Sequence, residues 1–213
     1  MIHTRVVATV LAALLPAAAT AQSPKGATYI TDEQVKAINA GPGVDRQIVN
    51  VDIGKLNLAV GIIHRGRSGA PAAGAGTPAA AAPAAAPAEP CGERTTTAPA
   101  AGSASGIAHD GQTETYIIVS GSGTLVTGGR IVNGRKSAPE SAVTRVLNGP
   151  SCSGVIAGAD VVRQVVKTGD IIIIPAGVPH GWTDIADHVD YLSVRPDPDR
   201  VLAAGYVNPV IKK

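Results

Sequence analysis

A series of short runs rich in Val, Ile and Thr, cut by glycine and carrying no helical period between them, constrains this chain more than any other feature. They read "RQIVNVDI", "KLNLAVGIIHR", "ETYIIVS", "GTLVTGG", "RIVN", "VVRQVVKTGDIIIIP" and "HVDYLSVRP". β-Branched side chains fit a pleated sheet, and short strands separated by glycine turns pair antiparallel. None of the connections carries the helical pattern of a βα repeat. The expectation is therefore an all-β antiparallel sandwich or barrel, with the "GSG" after "ETYIIVS" read as a turn between two strands. Phe is absent and aromatic residues make up 2% of the chain, so the core has to be built from Val, Ile, Leu and Ala.

A chain of 213 residues suits one domain. Its amino-terminal stretch has a positive start ending at Arg5, an apolar run from Val6 to Leu15 and a small-residue cleavage pattern at Ala19-Thr20-Ala21. Residues 1–21 are read as a signal peptide and 22–213 as a single domain delivered to the periplasm or secreted. The apolar run is shorter than the roughly 20 residues of a spanning helix, so no stable membrane anchor is expected. In an oxidising compartment Cys91 and Cys152 are open to one disulfide or to two free thiols. Net charge is +2, from 18 basic and 16 acidic residues, and supplies no field that would argue for nucleic acid.

Thr31 and Gln34 form a capping box that predicts a short surface helix ending at Gly41-Pro42. From about 68 to 105 the chain is almost wholly Ala, Pro, Gly, Ser and Thr. Prolines remove donors and clash inside a helix, so this stretch is read as a flexible or polyproline-like insertion within one domain. The tail "PDPDRVLAAGYVNP" offers a capped helical turn at most.

Two stretches carry candidate chemistry. In "IAHDGQTETYIIVS", His109 lies just upstream of Glu114, and the two-residue period puts Glu114, Tyr116 and Ile118 on one strand face. In "GDIIIIPAGVPHGWTD", an apolar strand from Ile171 to Ile174 enters a Pro175-Ala176-Gly177 turn, followed by His180 and Trp182. Singly these residues have plain structural readings: a hydrogen-bonded histidine, a solvated carboxylate, a tryptophan that fills core. Together, His109, Glu114 and His180 supply two imidazoles and a carboxylate, a set that suits a divalent iron, manganese, nickel or zinc ion with open positions. His188, beside Asp187, reads as a surface residue.

The order and spacing of these residues resemble the cupin superfamily. Its second motif is matched at Gly169, Pro175, Gly177 and His180, with Asp184 where asparagine is usual. Its first motif is matched at His109, Glu114 and Gly121, while Ile107 takes the first histidine position and Ala101 the opening glycine. The resemblance implies a conical antiparallel barrel, a double-stranded β-helix with short peripheral helices, and a metal site inside it. It implies His109, Glu114 and His180 as ligands. His64, which shares a strand face with Leu58, Val60 and Ile62, is the candidate to replace the missing histidine, or else a partly solvated residue at a strand end. Tyr116 is a candidate acid or base if a cation depresses its pKa, or else a packed residue that hydrogen-bonds a ligand. Trp182 is expected to wall the pocket.

The leading functional expectation is a secreted, metal-dependent cupin acting on a small organic molecule by oxygenase, isomerase or lyase chemistry. The alternative is a non-catalytic module that binds a sugar or another small molecule at a degenerate metal site. A small-molecule ligand is the expected partner, and a homodimer is compatible with either reading.

Overall fold

The computed structural model describes residues 26–69 and 88–212. The signal-peptide reading and the part of the Ala/Pro-rich stretch from 70 to 87 lie outside the described residues. The elements, in chain order, are a helix α1 (Asp32–Asn39) and strands β1 (Asp45–Asp52), β2 (Asn57–Gly66), β3 (Pro90–Cys91), β4 (Ser105–His109), β5 (Glu114–Thr127), β6 (Arg130–Lys136), β7 (Ser151–Ala157), β8 (Val162–Lys167), β9 (Ile171–Ile174), β10 (His180–Thr183) and β11 (His188–Asp197). A five-residue π-type turn, Val143–Leu147, lies between β6 and β7.

Every named strand pair is antiparallel. One sheet runs β1-β2-β11-β5-β9 and the other β8-β5-β10-β4-β7-β6-β3. Strand β5 belongs to both. Its first half pairs with β9 and β11 and its second half with β8 and β10, so the chain passes from one sheet to the other without a break. The expected "GSG" turn is therefore a bend inside one strand of 14 residues. Gly121 makes that bend with φ +72°, and a Cβ there would stand 2.0 Å from the His188 carbonyl oxygen, so only glycine fits. Glycine in a strand marks either a turn or a close backbone approach, and here it is the second.

The capping box forms as expected. Thr31 Oγ1 accepts from the Gln34 backbone N–H at 3.3 Å, and Gln34 Oε1 accepts from the Thr31 N–H at 2.9 Å. The helix buries Ile38 against Ile48, Val49 and Ile62 on the outer face of β1 and β2. Fully burying one such side chain contributes about 1.5–3 kcal/mol. A second cluster between the sheets holds Ile63, Tyr116, Ile118, Leu125, Val166, Ile174, Ile185, Val189 and Tyr191. A third, around Val126, Ile131, Ile156 and Ala104, packs against Cys91 and Cys152, which are joined as a disulfide.

The end of the Ala/Pro-rich stretch is tied to the barrel. Pro90 and Cys91 pair with Arg135 and Gly134 of β6, and Glu93 bridges to Val132. The carboxy-terminal tail forms no helix. It lies along β1, with Asn50 donating to the Tyr206 carbonyl and Asn208 donating to the Ile48 carbonyl, both backbone to backbone. Among the described residues no helix is long and apolar enough to cross a membrane.

Candidate metal centre

His109 closes β4, Glu114 opens β5, and His180 opens β10. The two motif segments are locked together by the backbone: the Gly177 N–H donates to the His109 carbonyl at 2.7 Å, from a turn in which Gly177 has φ +80°. Asp184 has φ +52°, a left-handed conformation that Asn and Asp tolerate better than most residues, which accounts for either of them at that motif position. All three candidate ligands are buried, each at 3% exposure or less. Their ligand atoms lie within 4.8 Å of one another.

The hydrogen bonding inside this group fits a cation. His180 Nδ1 donates to the Val178 carbonyl at 3.0 Å, which leaves an Nε2 lone pair on the neutral ring. That Nε2 is buried, has no hydrogen-bond partner, and stands 3.0 Å from Glu114 Oε2. Two electron-rich atoms at that distance call for a positive centre, a proton or a metal, in contact with both. His109 Nε2 is also 3.0 Å from the same oxygen. Two imidazole nitrogens and one carboxylate oxygen are an ordinary donor set for a first-row divalent ion.

Glu114 is held from behind by residues that the sequence reading did not single out. Its other oxygen, Oε1, accepts from Ser193 Oγ at 2.7 Å and from Arg195 Nε at 2.6 Å. Arg195 is fully buried and also reaches Gln47 Oε1 at 3.2 Å and Asp45 Oδ2 at 2.6 Å. Gly61 makes room for it, since a Cβ there would come within 3.2 Å of the guanidinium. Burial pushes the Glu114 carboxyl up, but the Arg195 charge and the adjacent His109 and His180 rings outweigh it and hold the group well below the usual carboxylate range. Asp45, on the far side of the same guanidinium, is raised, because its desolvation exceeds the pull of Arg195.

The expected site residues separate into two groups. Tyr116 enters the interior as expected, and its hydroxyl donates to Glu114 Oε2 at 2.9 Å. Burial first, and then the Glu114 charge, push its phenol well above its ordinary value. Those surroundings make it a hydrogen-bond donor rather than a base. Trp182 packs on the Tyr191 ring, centroids 5.3 Å apart, and its Nε1 donates to the Tyr191 hydroxyl at 3.2 Å. Ile107 lies opposite His180 in the β4/β10 register and so shares its face, an apolar wall where the motif has its first histidine.

His64 is the correction. It does share a face with Val60 and Ile62, but that face carries Ile62 into the cluster beneath α1, outside the barrel. The interior of β2 is the other face, with Ile63 and Gly61. His64 therefore bonds Asp190 Oδ1 at 2.6 Å and stacks near His188 in an outer groove beside α1, away from the three candidate ligands. The period was readable, but the choice of inner face was not, because the outer face of β1 and β2 is itself buried by the helix. Arg195 was hidden for the converse reason. Val189, Tyr191, Ser193, Arg195 and Asp197 alternate along β11 on the buried side, yet the last three look like a solvent face.

No family model matches the sequence, and no curated protein matches it. Among solved structures, the fold is similar to an uncharacterized conserved protein with a double-stranded β-helix domain from Klebsiella pneumoniae. That match has 15% identity, covers 82% of this chain and 94% of that one, and has a TM-score of 0.37. A protein from Bacillus halodurans matches at 11% identity over 87% of this chain and 92% of its own, with a TM-score of 0.41. An oxalate oxidase matches at 12% identity over 76% of this chain and 55% of its own, with a TM-score of 0.32. All three scores are below 0.5, so the fold rests on the strand pairing described above. By that pairing the chain is an all-β antiparallel double-stranded β-helix.

Proposed function

We propose that this protein is a metal-dependent cupin that acts on a small organic molecule inside the barrel, with His109, Glu114 and His180 as the ligands. The observation that carries the reading is the buried His180 Nε2, unpaired and turned toward Glu114 Oε2 at 3.0 Å. A bound divalent ion supplies Lewis acidity and open coordination positions, and iron, manganese, nickel and zinc all suit the donor set. The chain's own residues do the rest. The Val178 carbonyl fixes the His180 tautomer, Ser193 and Arg195 engage one Glu114 oxygen so that the other faces the histidines, and Tyr116 keeps its proton on the same carboxylate. Oxygenase, isomerase and lyase chemistry are all within reach of such a site.

A specific observation favours a second reading, a non-catalytic binding module. Arg195 already compensates the Glu114 charge through a buried ion pair, so the carboxylate is partnered without a metal. A screen of small organic acids, sugars and enols, run on protein loaded in turn with each of the four metals and on chelated protein, separates the two. Turnover that appears on loading and is lost in His180→Ala supports the enzyme. Saturable binding without turnover in any loaded form supports the module.

Export to the periplasm or beyond is part of the proposal. Support comes from the leader-like residues before Gln22 and from the Cys91–Cys152 disulfide, which suits an oxidising compartment.

A further inference from the structure

Arg65 is a charged residue on the interior face of β2 that bonds none of the three candidate ligands. It lies opposite Val189 of β11, one inward step beyond Ile63. Its Nε donates to the Tyr191 hydroxyl at 2.9 Å. Among the described residues it forms no ion pair, and no acceptor is bonded to its terminal nitrogens, although the side chain is half-buried. A guanidinium held by one nitrogen, with its terminal N–H groups free, presents a planar fork to an incoming carboxylate.

A chain of packed aromatic side chains connects Arg65 to the metal centre. The Tyr191 hydroxyl that accepts the Arg65 Nε–H hydrogen bond also accepts from Trp182 Nε1. The Tyr191 ring lies 4.3 Å from the Tyr116 ring, whose hydroxyl is bonded to Glu114. The Tyr116 and His180 rings in turn stand nearly perpendicular, centroids 5.9 Å apart. Val44, Val178 and Trp182 pack against the same cluster while staying partly exposed.

We propose that Arg65 is the anion-recognition residue of the barrel: its free N–H groups receive the carboxylate of a small organic acid beside Trp182, and the body of that acid points past Tyr191 toward His109, Glu114 and His180. This deepens the proposed function and rests on it for the role of the acid as a substrate. The carboxylate subsite itself stands on Arg65 alone. Two interior guanidiniums then divide the work: Arg195, bonded through each of its three nitrogens to Glu114, Gln47 and Asp45, holds a metal ligand, and Arg65 holds the ligand molecule.

Trp182 is the single tryptophan in the chain and, through its contact with Tyr191, reports on the surroundings of Arg65. The protein is titrated with acetate, propionate and benzoate and with the matching neutral amides, following tryptophan emission, while metal content is measured on the same samples. The expected result is a saturable response to at least one carboxylate and none to its amide. Arg65→Met weakens that response by at least about tenfold, and Arg65→Lys falls between. Equal responses to acid and amide, no saturable response to any acid, or unchanged affinity in Arg65→Met overturns the proposal. If Arg65→Met does not fold, the acid and amide comparison on the wild type decides alone. Arg65-dependent binding in metal-free protein sustains the subsite while the metal reading fails. Stoichiometric metal without carboxylate binding does the reverse.

Discussion

Glu114 concentrates the site's electrostatics in two oxygens with different duties. Oε1 is committed to Ser193 and Arg195, and Oε2 is turned to His109, His180 and Tyr116. Because the folded state holds this carboxyl well below its ordinary value of 4.5, the charged form is favoured by folding. The sign follows: the stabilisation is complete above pH 4.5 and is lost as pH falls through the lower folded-state value. Acid unfolding of the wild type should therefore steepen below pH 4.5, and Glu114→Gln should remove that part of the pH dependence while lowering stability at neutral pH. Parallel pH profiles for the two proteins across that window would show that Glu114 is not held down by its neighbours.

The strands carry both what could be read in advance and what could not. The helix α1 was legible because Thr31 and Gln34 are local signals, and the face of β5 with Glu114, Tyr116 and Ile118 was legible because burial there follows the two-residue period. The continuity of β5 through Gly121 was not, since a glycine that permits close approach of His188 has the same letter as one in a turn. Nor were β4 and β7, whose "SGIAH" and "SCSGVIA" hold too little β-branched content to stand out and become strands by pairing with each other. The metal group was legible because its members sit in ordered motifs. Arg195, Arg65 and the inner face of β2 were not, because a polar interior inverts the rule by which sequence separates inside from outside. Element β3 holds its place through two paired residues, the adjoining Glu93 bridge and the Cys91–Cys152 link to β7, which closes a loop of 61 residues. A loop of that length predicts a stabilisation of about 4 kcal/mol by the chain-entropy relation. Reduction, or Cys91→Ala with Cys152→Ala, should lower the melting temperature by on the order of 10 °C. An unchanged melting temperature would show that β6 and the Glu93 bridge hold this edge without the covalent link.

On the scale of the whole molecule, the barrel interior is divided along its length. Ile63, Ile118, Leu125 and Val189 line one part, and Gln47, Asn50, Asn57, Gln112, Ser193, Arg195 and Asp197 are buried in the other. The candidate ligands stand at the boundary, where Glu114 meets the buried Arg195 on one side and the Tyr116 and Tyr191 rings on the other. A low-dielectric wall strengthens the field of any charge placed there, and the polar half supplies the hydrogen bonds that keep a carboxylate ionised. The proposed cation stands at that boundary. The direct measurement is elemental analysis of wild-type protein purified without added metal or chelator, alongside His180→Ala and His64→Ala. Close to one transition-metal ion per chain is expected in the wild type and in His64→Ala, with loss of the ion in His180→Ala. Wild-type protein that carries no transition metal, and takes up none on titration with iron, manganese, nickel or zinc, would contradict the proposed site.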